Sequence, residues 1–173
     1  MISVKDAKDH ILVGTHSLNE IRVSLANSAG FALASNIYAP IDFPDFDQSA
    51  MDGYGIYYED GKQESFYRVV GVEQAGNVDS VHFIQKGEAV RIFTGAKVPP
   101  GVNTVVQQEF VQSSAEGIFI DDRPIQVGMN IRKKGSQTQR NELLLQAGAT
   151  LYPAAVSCLA GFGFDTLPVI RKP

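Results

Sequence analysis

The chain has 173 residues, of which 44% are hydrophobic and 20% are charged, so it can form a buried core as one domain or as two small ones. Its formal net charge of −4 disfavours binding to nucleic acid, which rewards a dense basic surface. The single cysteine, Cys158, excludes an intrachain disulfide and a thiolate metal cluster.

The N-terminal segment predicts a helix and no targeting signal. Charged residues interrupt its apolar residues, so it lacks the continuous apolar run of a signal peptide. No later segment approaches the length of a membrane span, and we expect a cytoplasmic protein without a membrane partner. Ser3 and Asp6 have the spacing of a helix N-cap, and the apolar residues that follow predict a helix that stops at Gly14.

Two further short helices are predicted. The first covers Leu25–Ala29 and is followed by Gly30, the residue type best suited to a left-handed C-terminal cap. The second begins at Pro153, which suits the first turn of a helix, and ends at one of two later glycines. Cys158 lies on this helix among small residues, which predicts a buried packing role and no catalysis.

The middle of the chain is predicted to be rich in β-structure. From about Tyr54, short apolar or β-branched runs alternate with Gly, Pro, Asn and Asp, the pattern of strands joined by turns. The predicted strands of the middle are Gly55–Tyr58, Phe66–Val72, Ala89–Phe93, Thr104–Gln107 and Gly117–Ile120. Two more strands, Leu143–Leu145 and Leu167–Ile170, are predicted on either side of the C-terminal helix. Helical segments therefore lie at both ends and strands in the middle. This order predicts an α+β fold in which the two ends pack together and the middle is an inserted domain.

An acidic segment, residues 40–54, is the first candidate for chemistry. Its prolines and glycine indicate irregular backbone, and its carboxylates are Asp42, Asp45, Asp47 and Asp52. Mg²⁺ takes oxygen ligands and keeps several waters, so one or two of these carboxylates with substrate phosphates would suffice for a site. The segment lacks the Gly and Glu of an EF-hand. On spacing alone, a hairpin turn at Asp52-Gly53 with the other acids in solvent is the favoured interpretation.

Two other segments could bind an anion. A strand ending at Thr94-Gly95, followed by a Pro-Pro-Gly turn, can present a hydroxyl and free backbone amides, although it lacks the Gly-Lys-Ser/Thr of a P-loop. The run Asn130–Gly135 is the densest basic stretch in an otherwise acidic chain, and its Arg132 can grip an oxyanion with two hydrogen bonds. Taken separately, the first is also a plain strand and turn, and the second a solvated charge run.

Together these segments resemble the signature motifs of the molybdopterin molybdenumtransferase family, which includes MoeA and the E domain of gephyrin. The family motif F-D-x-S-A-M-D-G-Y stands at Phe46–Tyr54. The motif R-I-M/F-T-G-A-x-x-P-x-G-x-x-x-V-V-x-x-E stands at Arg91–Glu109, N-I-R-x-x-G at Asn130–Gly135 and P-V-I-R-K at Pro168–Lys172. The resemblance covers essentially the whole chain. Four motifs in order are far less probable by coincidence than one, so the plainer interpretations are set aside.

The resemblance implies a fold and an activity. It implies an elongated, helix-containing linker domain built from both chain ends, which we place at residues 1–45 and 139–173, and an inserted β-rich domain at residues 46–138. It also implies molybdenum cofactor biosynthesis: molybdate is inserted into adenylylated molybdopterin, and the adenylate is hydrolysed with Mg²⁺. Molybdate and adenylylated molybdopterin are thus the expected small-molecule partners.

The same resemblance marks site residues. It makes Asp52 and Thr94 catalytic residues and Arg132 an anion contact, and we add Ser49 and Gly95 to the anion-binding set. Molybdate and the pyrophosphate linkage are oxyanions, so a carboxylate can contribute through a metal, a water or a proton, whereas a hydroxyl or guanidinium binds oxygen directly. We therefore assign Asp52 to Mg²⁺ or water positioning, and Thr94 and Arg132 to oxyanion orientation.

One position departs from the family pattern. Gly135 is followed by Ser136 and Gln137 where the family usually has Glu and Asp, so Gln137 replaces an expected carboxylate. Glutamine can form hydrogen bonds but cannot supply charge to a metal. The departure slightly favours a second hypothesis, a scaffold or interaction module of gephyrin type without catalysis, and the retained Asp52 and Thr94 argue against it. A third hypothesis, a bare β-rich binding domain, requires that the motif residues be scattered in space.

The family also has parts that this chain does not contain. A molybdopterin-binding α/β domain and then a small C-terminal β domain follow in the family. The family places its site between subunits, so we expect a homodimer of the full-length protein. We accordingly expect negligible turnover from this chain alone.

Overall fold

The structure is a computed structural model that describes residues 2–16, 18–61, 64–77, 83–121 and 123–172. Its helices are α1 (Val4–Gly14) and α2 (Pro153–Gly161). Its strands are β1 (Glu20–Ser24), β2 (Ile37–Tyr38), β3 (Gln48–Ser49), β4 (Gly53–Ile56), β5 (Phe66–Glu73), β6 (Glu88–Ile92), β7 (Thr104–Gln107), β8 (Val111–Ser113), β9 (Ile118–Ile120), β10 (Ile131–Arg132), β11 (Leu143–Leu145) and β12 (Thr166–Ile170). The prediction of an α+β fold is confirmed.

The chain divides into two compact units. Unit 1 contains residues 1–40 and 141–173, and unit 2 contains residues 41–140. The domain limits expected from the sequence, 1–45 with 139–173 and 46–138, stay a prediction, and the two units are described separately below. In the part of the chain that the structure describes, no helix is both long and apolar enough to cross a membrane.

Unit 1 is held together by two small antiparallel sheets and an apolar core. Strand β1 pairs with β12, and β2 pairs with β11. The core contains the buried side chains of Leu33, Ile37, Leu151, Leu159, Leu167 and Val169. Because β1 and β12, and likewise β2 and β11, come from opposite ends of the chain, these pairings join the two ends.

Helix α1 forms as predicted and lies on the surface. The Ser3 hydroxyl accepts a hydrogen bond from the Asp6 backbone N–H, and the Asp6 carboxylate accepts one from the Ser3 N–H, which completes a capping box. None of the helix residues is buried, and Ile11, Leu12 and Val13 are each at least 68% exposed. The cap and the helix's own backbone bonds therefore hold α1, and its apolar side is uncovered within the described residues.

The predicted helix at Leu25–Ala29 is wrong. Only a single 3-10 turn, Leu25–Asn27, forms there. The Ser28 hydroxyl donates a hydrogen bond to the Leu25 carbonyl at 2.7 Å, which occupies an acceptor that a helix would use. Gly30 does adopt a positive φ of 78°, but its N–H donates to the Leu151 carbonyl in a tertiary contact. A segment this short cannot offset the cost of starting an α-helix.

Helix α2 begins at Pro153 as predicted, but the expected burial of Cys158 is wrong. Leu159 is the buried residue of this helix, with Ala155 and Val156 packed beside it against the core of unit 1. These three positions lie on one face at the spacing of a helix. Cys158 points away from that face and is exposed. In a helix of small residues, composition alone does not indicate which face is buried.

Unit 2 is built on a mixed six-stranded sheet. The strand order is β7-β4-β6-β5-β9-β8, with β5 and β6 parallel and the other neighbours antiparallel. One buried cluster contains Ile56, Tyr58, Tyr67, Ala89, Val106, Ile118, Ile120 and Ile125. A second, smaller cluster contains Ile92, Ala96 and Val105, and Ile131 packs against it. The second cluster anchors the chain segments that carry the candidate site.

Candidate functional site

Asp52 and Thr94 are joined at the centre of the candidate site. The Oδ1 atom of Asp52 accepts hydrogen bonds from the Thr94 backbone N–H at 2.8 Å and from the Thr94 hydroxyl at 2.7 Å. Within the described residues, Oδ2 of Asp52 has no hydrogen-bond partner. Oδ2 is therefore available to a water molecule, a metal ion or a ligand.

A tight turn, Phe93–Ala96, positions Thr94. The Ala96 N–H donates to the Phe93 carbonyl at 2.9 Å, and Gly95 has a φ of +83°. This third position of the turn requires a positive φ, which glycine adopts at little cost. Ala96 is buried in the second cluster of unit 2, while Thr94 is exposed. The buried Ala96 thus fixes the turn to the core of unit 2, and the turn exposes Thr94 to solvent.

Strand β3 lies between this turn and β10. The Gly95 N–H donates to the Ser49 carbonyl at 2.9 Å, and the Ser49 N–H donates to the Ala96 carbonyl at 2.9 Å. On its other side, Ser49 is paired with Ile131 and Gln48 with Arg132. The three motif segments therefore lie side by side within unit 2, and they are not scattered in space.

Ser49 is fully buried, and its hydroxyl is engaged inside the loop. It donates a hydrogen bond to the Met51 carbonyl at 2.6 Å and lies 3.4 Å from the Met51 N–H as an acceptor. These bonds hold the bend that leads from β3 to Asp52. The assignment of Ser49 and Gly95 to anion binding stays a prediction, and the bonds of Ser49 indicate a contribution through the shape of the loop.

Two of the three cations in the basic run are neutralised. Lys133 Nζ lies 2.7 Å from Asp47 Oδ2, and the Lys134 N–H donates to Asp47 Oδ1 at 2.9 Å. Lys134 Nζ lies 3.6 Å from Asp42 Oδ2, and Asp42 Oδ1 accepts from the Arg140 N–H. Exposed ion pairs of this kind contribute little to stability, but they fix the acidic loop against the basic one. Asp42 and Asp47 are therefore structural partners of the basic run.

Arg132 is the remaining cation of the run and is exposed. Among the residues that the structure describes, its guanidinium has neither a hydrogen-bond nor an ion-pair partner. Gln137, which stands where the family pattern has a carboxylate, is also exposed. Arg132 is thus free to bind an anion, and its role there stays a prediction.

Arg91 braces the Asp52 loop, a role that we did not assign from the sequence. Its Nη1 donates to the Gly53 carbonyl at 2.9 Å, and its Nη2 donates to Gln108 Oε1. Its guanidinium carbon lies 5.1 Å from the Tyr54 ring centroid and 4.7 Å from that of Phe93, within cation–π range. Because Arg91 opens the second family motif, its position in that motif was the available signal.

The site offers few ligands to a metal ion. No group of three or more His, Cys, Asp or Glu side chains is arranged to hold a metal in the described ranges of the chain. Asp42 and Asp47 are engaged by lysines, so among the three carboxylates of this loop that the described hydrogen bonds and ion pairs hold in place, Asp52 keeps one free oxygen, Oδ2. Mg²⁺ often binds through one or two carboxylates together with substrate phosphates and waters. Asp52 fits the role of such a single protein ligand.

Hydrogen bonds lower the pKa of two carboxyl groups. The hydroxyl of Thr94, then its backbone N–H, and more weakly the Arg91 charge lower the pKa of Asp52 below its ordinary value of 3.8. Partial burial acts to raise the pKa of Asp47, but the hydrogen bond from Lys133, the backbone N–H of Lys134 and the Lys133 charge together lower it. Both groups are therefore carboxylates at neutral pH.

We predict that Asp52 and Asp47 titrate below pH 3.8 in the folded chain. Because each folded pKa is below the unfolded one, the stability contributed by each carboxylate is fully present above the unfolded pKa and is lost as pH falls through the folded pKa. Carboxyl-carbon NMR across a pH series measures both midpoints. Thr94→Val should raise the midpoint of Asp52 alone, and Lys133→Gln that of Asp47 alone. An unchanged Asp52 midpoint in Thr94→Val would show that the hydroxyl bond is absent in solution.

Residues 2–163 match the family described as the MoeA N-terminal region, domains I and II. The chain is also 34% identical over 178 residues to a molybdopterin molybdenumtransferase of Staphylococcus aureus strain Mu50, covering 99% of this chain and 42% of the relative. A protein of the same name from Haemophilus influenzae is 33% identical over 150 residues, covering 87% of this chain and 37% of the relative. The chain thus spans less than half the length of these curated relatives.

The fold is similar to that of solved structures. A crystal structure of the molybdopterin biosynthesis MoeA protein from Pyrococcus horikoshii OT3 matches with a TM-score of 0.92 and 31% identity. The match covers 100% of this chain and 47% of that one. A second crystal structure, also of a molybdopterin biosynthesis MoeA protein from Pyrococcus, matches with a TM-score of 0.84 and 30% identity.

Proposed function

Because the chain belongs to the family of the MoeA N-terminal region, domains I and II, we propose that it serves in molybdenum cofactor biosynthesis as part of an enzyme that inserts molybdenum into molybdopterin. The substrates are molybdate and adenylylated molybdopterin, and the adenylate is hydrolysed during insertion. The observation that carries this proposal is the hydrogen-bonded pair of Asp52 and Thr94. Thr94 lies on a turn that is hydrogen-bonded to β3, and β3 pairs with the strand that carries Arg132.

The free oxygen of Asp52 is the proposed reactive atom of this chain. Asp52 is a carboxylate at neutral pH, and its hydrogen bonds from Thr94 lower its pKa further, which makes it a weaker base than an ordinary aspartate and favours an ionised carboxylate as a ligand. A carboxylate repels an oxyanion, so Oδ2 acts on a water molecule, by accepting its proton, or on a metal ion. The Thr94 hydroxyl proton is directed at Asp52, which supports a role for Thr94 in holding the carboxylate in place. Arg132 is proposed to contact the oxyanion.

Mg²⁺ is the proposed metal, with Asp52 as its protein ligand. The chemistry that bound Mg²⁺ supplies is neutralisation of phosphate charge. Lys133 and Lys134 leave Asp42 and Asp47 little capacity to join Asp52 in this role, because both acids are already paired. The proposed site therefore relies on substrate phosphates and waters for the remaining ligands.

We propose a homodimer of the full-length protein, located in the cytoplasm. The uncovered apolar side of α1 supports association, since exposed apolar patches often mark protein contacts. By this proposal the chain of 173 residues alone has negligible turnover, because it covers 42% of the length of its Staphylococcus aureus relative.

A scaffold or interaction module of gephyrin type is the second candidate function. The observation that favours it is Gln137, exposed and uncharged where the family pattern has an acid. The pair of Asp52 and Thr94 favours the enzyme, because a scaffold has no need of a carboxylate held with one oxygen free.

Complementation separates these two functions. We expect the complete gene that encodes this chain to restore molybdoenzyme activity in bacterial cells that lack their own molybdopterin molybdenumtransferase. A segment encoding residues 1–173 alone should leave such cells without activity, and serves as the matched control. Protein that accumulates in soluble form from the complete gene without restoring activity would favour the scaffold.

A further inference from the structure

We propose that two cations, Lys97 and Arg132, with the amide of Gln48 between them, bind the diphosphate group of the substrate. These three residues are called the cation row below. The row includes two residues, Lys97 and Gln48, to which the motif resemblance gave no role. The substrate assignment rests on the proposed function, whereas binding of a diphosphate by the row can be tested without it.

Gln48 lies at the centre of the row. It is paired with Lys97 on one side and with Arg132 on the other, and both pairings are antiparallel. The bonds Val98 N–H to Asp47 carbonyl and Ser49 N–H to Ala96 carbonyl, each 2.9 Å, flank the pairing of Gln48 with Lys97. This is the closer type of antiparallel pair, with Cα atoms about 4.5 Å apart.

The three side chains project from the same face. Residues directly opposite each other in antiparallel strands share a face, so Lys97 and Arg132 both stand beside Gln48 on its side of β3. The two cations are therefore about 10 Å apart at their Cα atoms, with an amide between them. Gly95 lies next to the row: a Cβ atom at this position would be 4.0 Å from Gln48 Oε1. The Cβ atom of Ala75 would lie 3.8 Å from the same position, so Gly95 is bounded by both side chains.

The charge of the row is not neutralised. Within the described residues neither Lys97 nor Arg132 has a hydrogen-bond or ion-pair partner for its side chain. This contrasts with Lys133, whose Nζ lies 2.7 Å from an Asp47 oxygen. Gln48 and Lys97 are half-buried, so their positions are restrained by packing, while Arg132 is exposed. Two unpaired cations held on one face attract an anion with at least two charges.

The spacing favours a diphosphate over a single tetrahedral oxyanion. One small anion can contact both cations only if their side chains bend inward over Gln48 against their mutual repulsion. A diphosphate presents a separate charged group to each cation, and its bridging oxygen lies above the Gln48 amide, which can donate a hydrogen bond. The row therefore selects a linked pair of phosphates.

Calorimetric titration of the chain with inorganic pyrophosphate tests this assignment. The buffer contains EDTA and little salt, so that no metal at Asp52 contributes and charge screening is weak. We expect pyrophosphate to bind about tenfold more tightly than orthophosphate, molybdate or sulfate. Gln48→Glu should abolish binding, because the new carboxylate places a negative charge at the centre of the row and repels the diphosphate. This variant is isosteric and improves the local charge balance, so the fold is expected to persist, which circular dichroism verifies.

Charge-matched variants exclude a general effect of net charge. Lys97→Gln should weaken pyrophosphate binding about tenfold, and Lys97→Arg should retain most of it. Lys8→Gln makes the same charge change at an exposed position of α1 and should leave binding unaltered. The proposal is overturned if pyrophosphate does not bind the unaltered chain, if orthophosphate binds equally well, or if Gln48→Glu binds like the unaltered chain.

The outcomes separate this inference from the proposed function. If pyrophosphate does not bind, the proposed role of the cation row is contradicted, even if complementation by the complete gene succeeds. Pyrophosphate binding that depends on Lys97 and Gln48 supports the cation row even if complementation fails. In that case only the proposed enzyme function is contradicted.

Discussion

Replacing Asp52 by Asn is expected to lower the rate of molybdenum insertion by the complete enzyme by about 10²-fold or more. Asparagine keeps an oxygen that can accept both hydrogen bonds from Thr94, so the turn and the loop retain their positions. The change removes the negative charge and the capacity of Oδ2 to take a proton or bind a cation. The change should therefore lower activity strongly and stability only slightly, because the two charge-assisted hydrogen bonds from Thr94 become neutral ones.

A neighbouring acid in the same loop supplies the control. Asp45 is exposed and has no side-chain partner among the described residues, so Asp45→Asn makes the same chemical change away from Thr94. Its insertion rate should stay within about twofold of the unaltered enzyme. Purified complete enzyme, assayed with adenylylated molybdopterin and molybdate, gives both rates. Full activity of the Asp52→Asn enzyme would show that this carboxylate is not required for the reaction.

Replacing Gly53 by Ala is expected to destabilise unit 2 by about 3 kcal/mol or more. A Cβ atom on Gly53 would lie 2.0 Å from the Val106 carbonyl oxygen and 2.8 Å from its carbon. Gly53 begins β4, which is hydrogen-bonded to β6 on one side and β7 on the other. Since the obstacle is backbone inside the sheet and no flexible side chain, β4 and β7 must separate to accommodate the methyl group.

Gly87→Ala is the control for this prediction within the same unit. Gly87 has a φ of +79° and open space around its Cβ position, so alanine there costs about 1 kcal/mol through backbone strain alone. Urea unfolding followed by circular dichroism measures both variants. A Gly53→Ala chain as stable as the Gly87→Ala chain would mean that β4 and β7 do not approach this closely.

The conformation of Asp52-Gly53 could not be predicted from the local sequence. On spacing alone this dipeptide predicts a hairpin turn, yet Gly53 is the first residue of a central strand. The glycine is present because a carbonyl of a strand about fifty residues away, at Val106, comes close to it. The same dipeptide suits both situations, and only the strand pairing distinguishes them.

The local sequence also does not indicate which cations of the basic run are paired with acids. Its three adjacent cations look equivalent in the sequence, but Lys133 and Lys134 are paired with Asp47 and Asp42, and Arg132 is not. Lys97 lies in a different motif, and its placement beside Gln48 follows from a backbone pairing that no periodicity indicates. Which cations are available to a ligand is thus a property of the folded chain.

The amino-acid sequence by itself determined the α+β class, the capped first helix, most strands of the six-stranded sheet and the family of the protein. The class and the elements depend on helix caps and on periodicity, which involve residues close in the chain. The family is indicated by the order of the motifs along the sequence. The tertiary structure alone decided that Asp52 meets Thr94 across 42 residues, that Lys133 meets Asp47 across 86, and that Cys158 is exposed. Such contacts depend on strand register and on which face packs, and a shift of one residue in register moves every side chain to the opposite face.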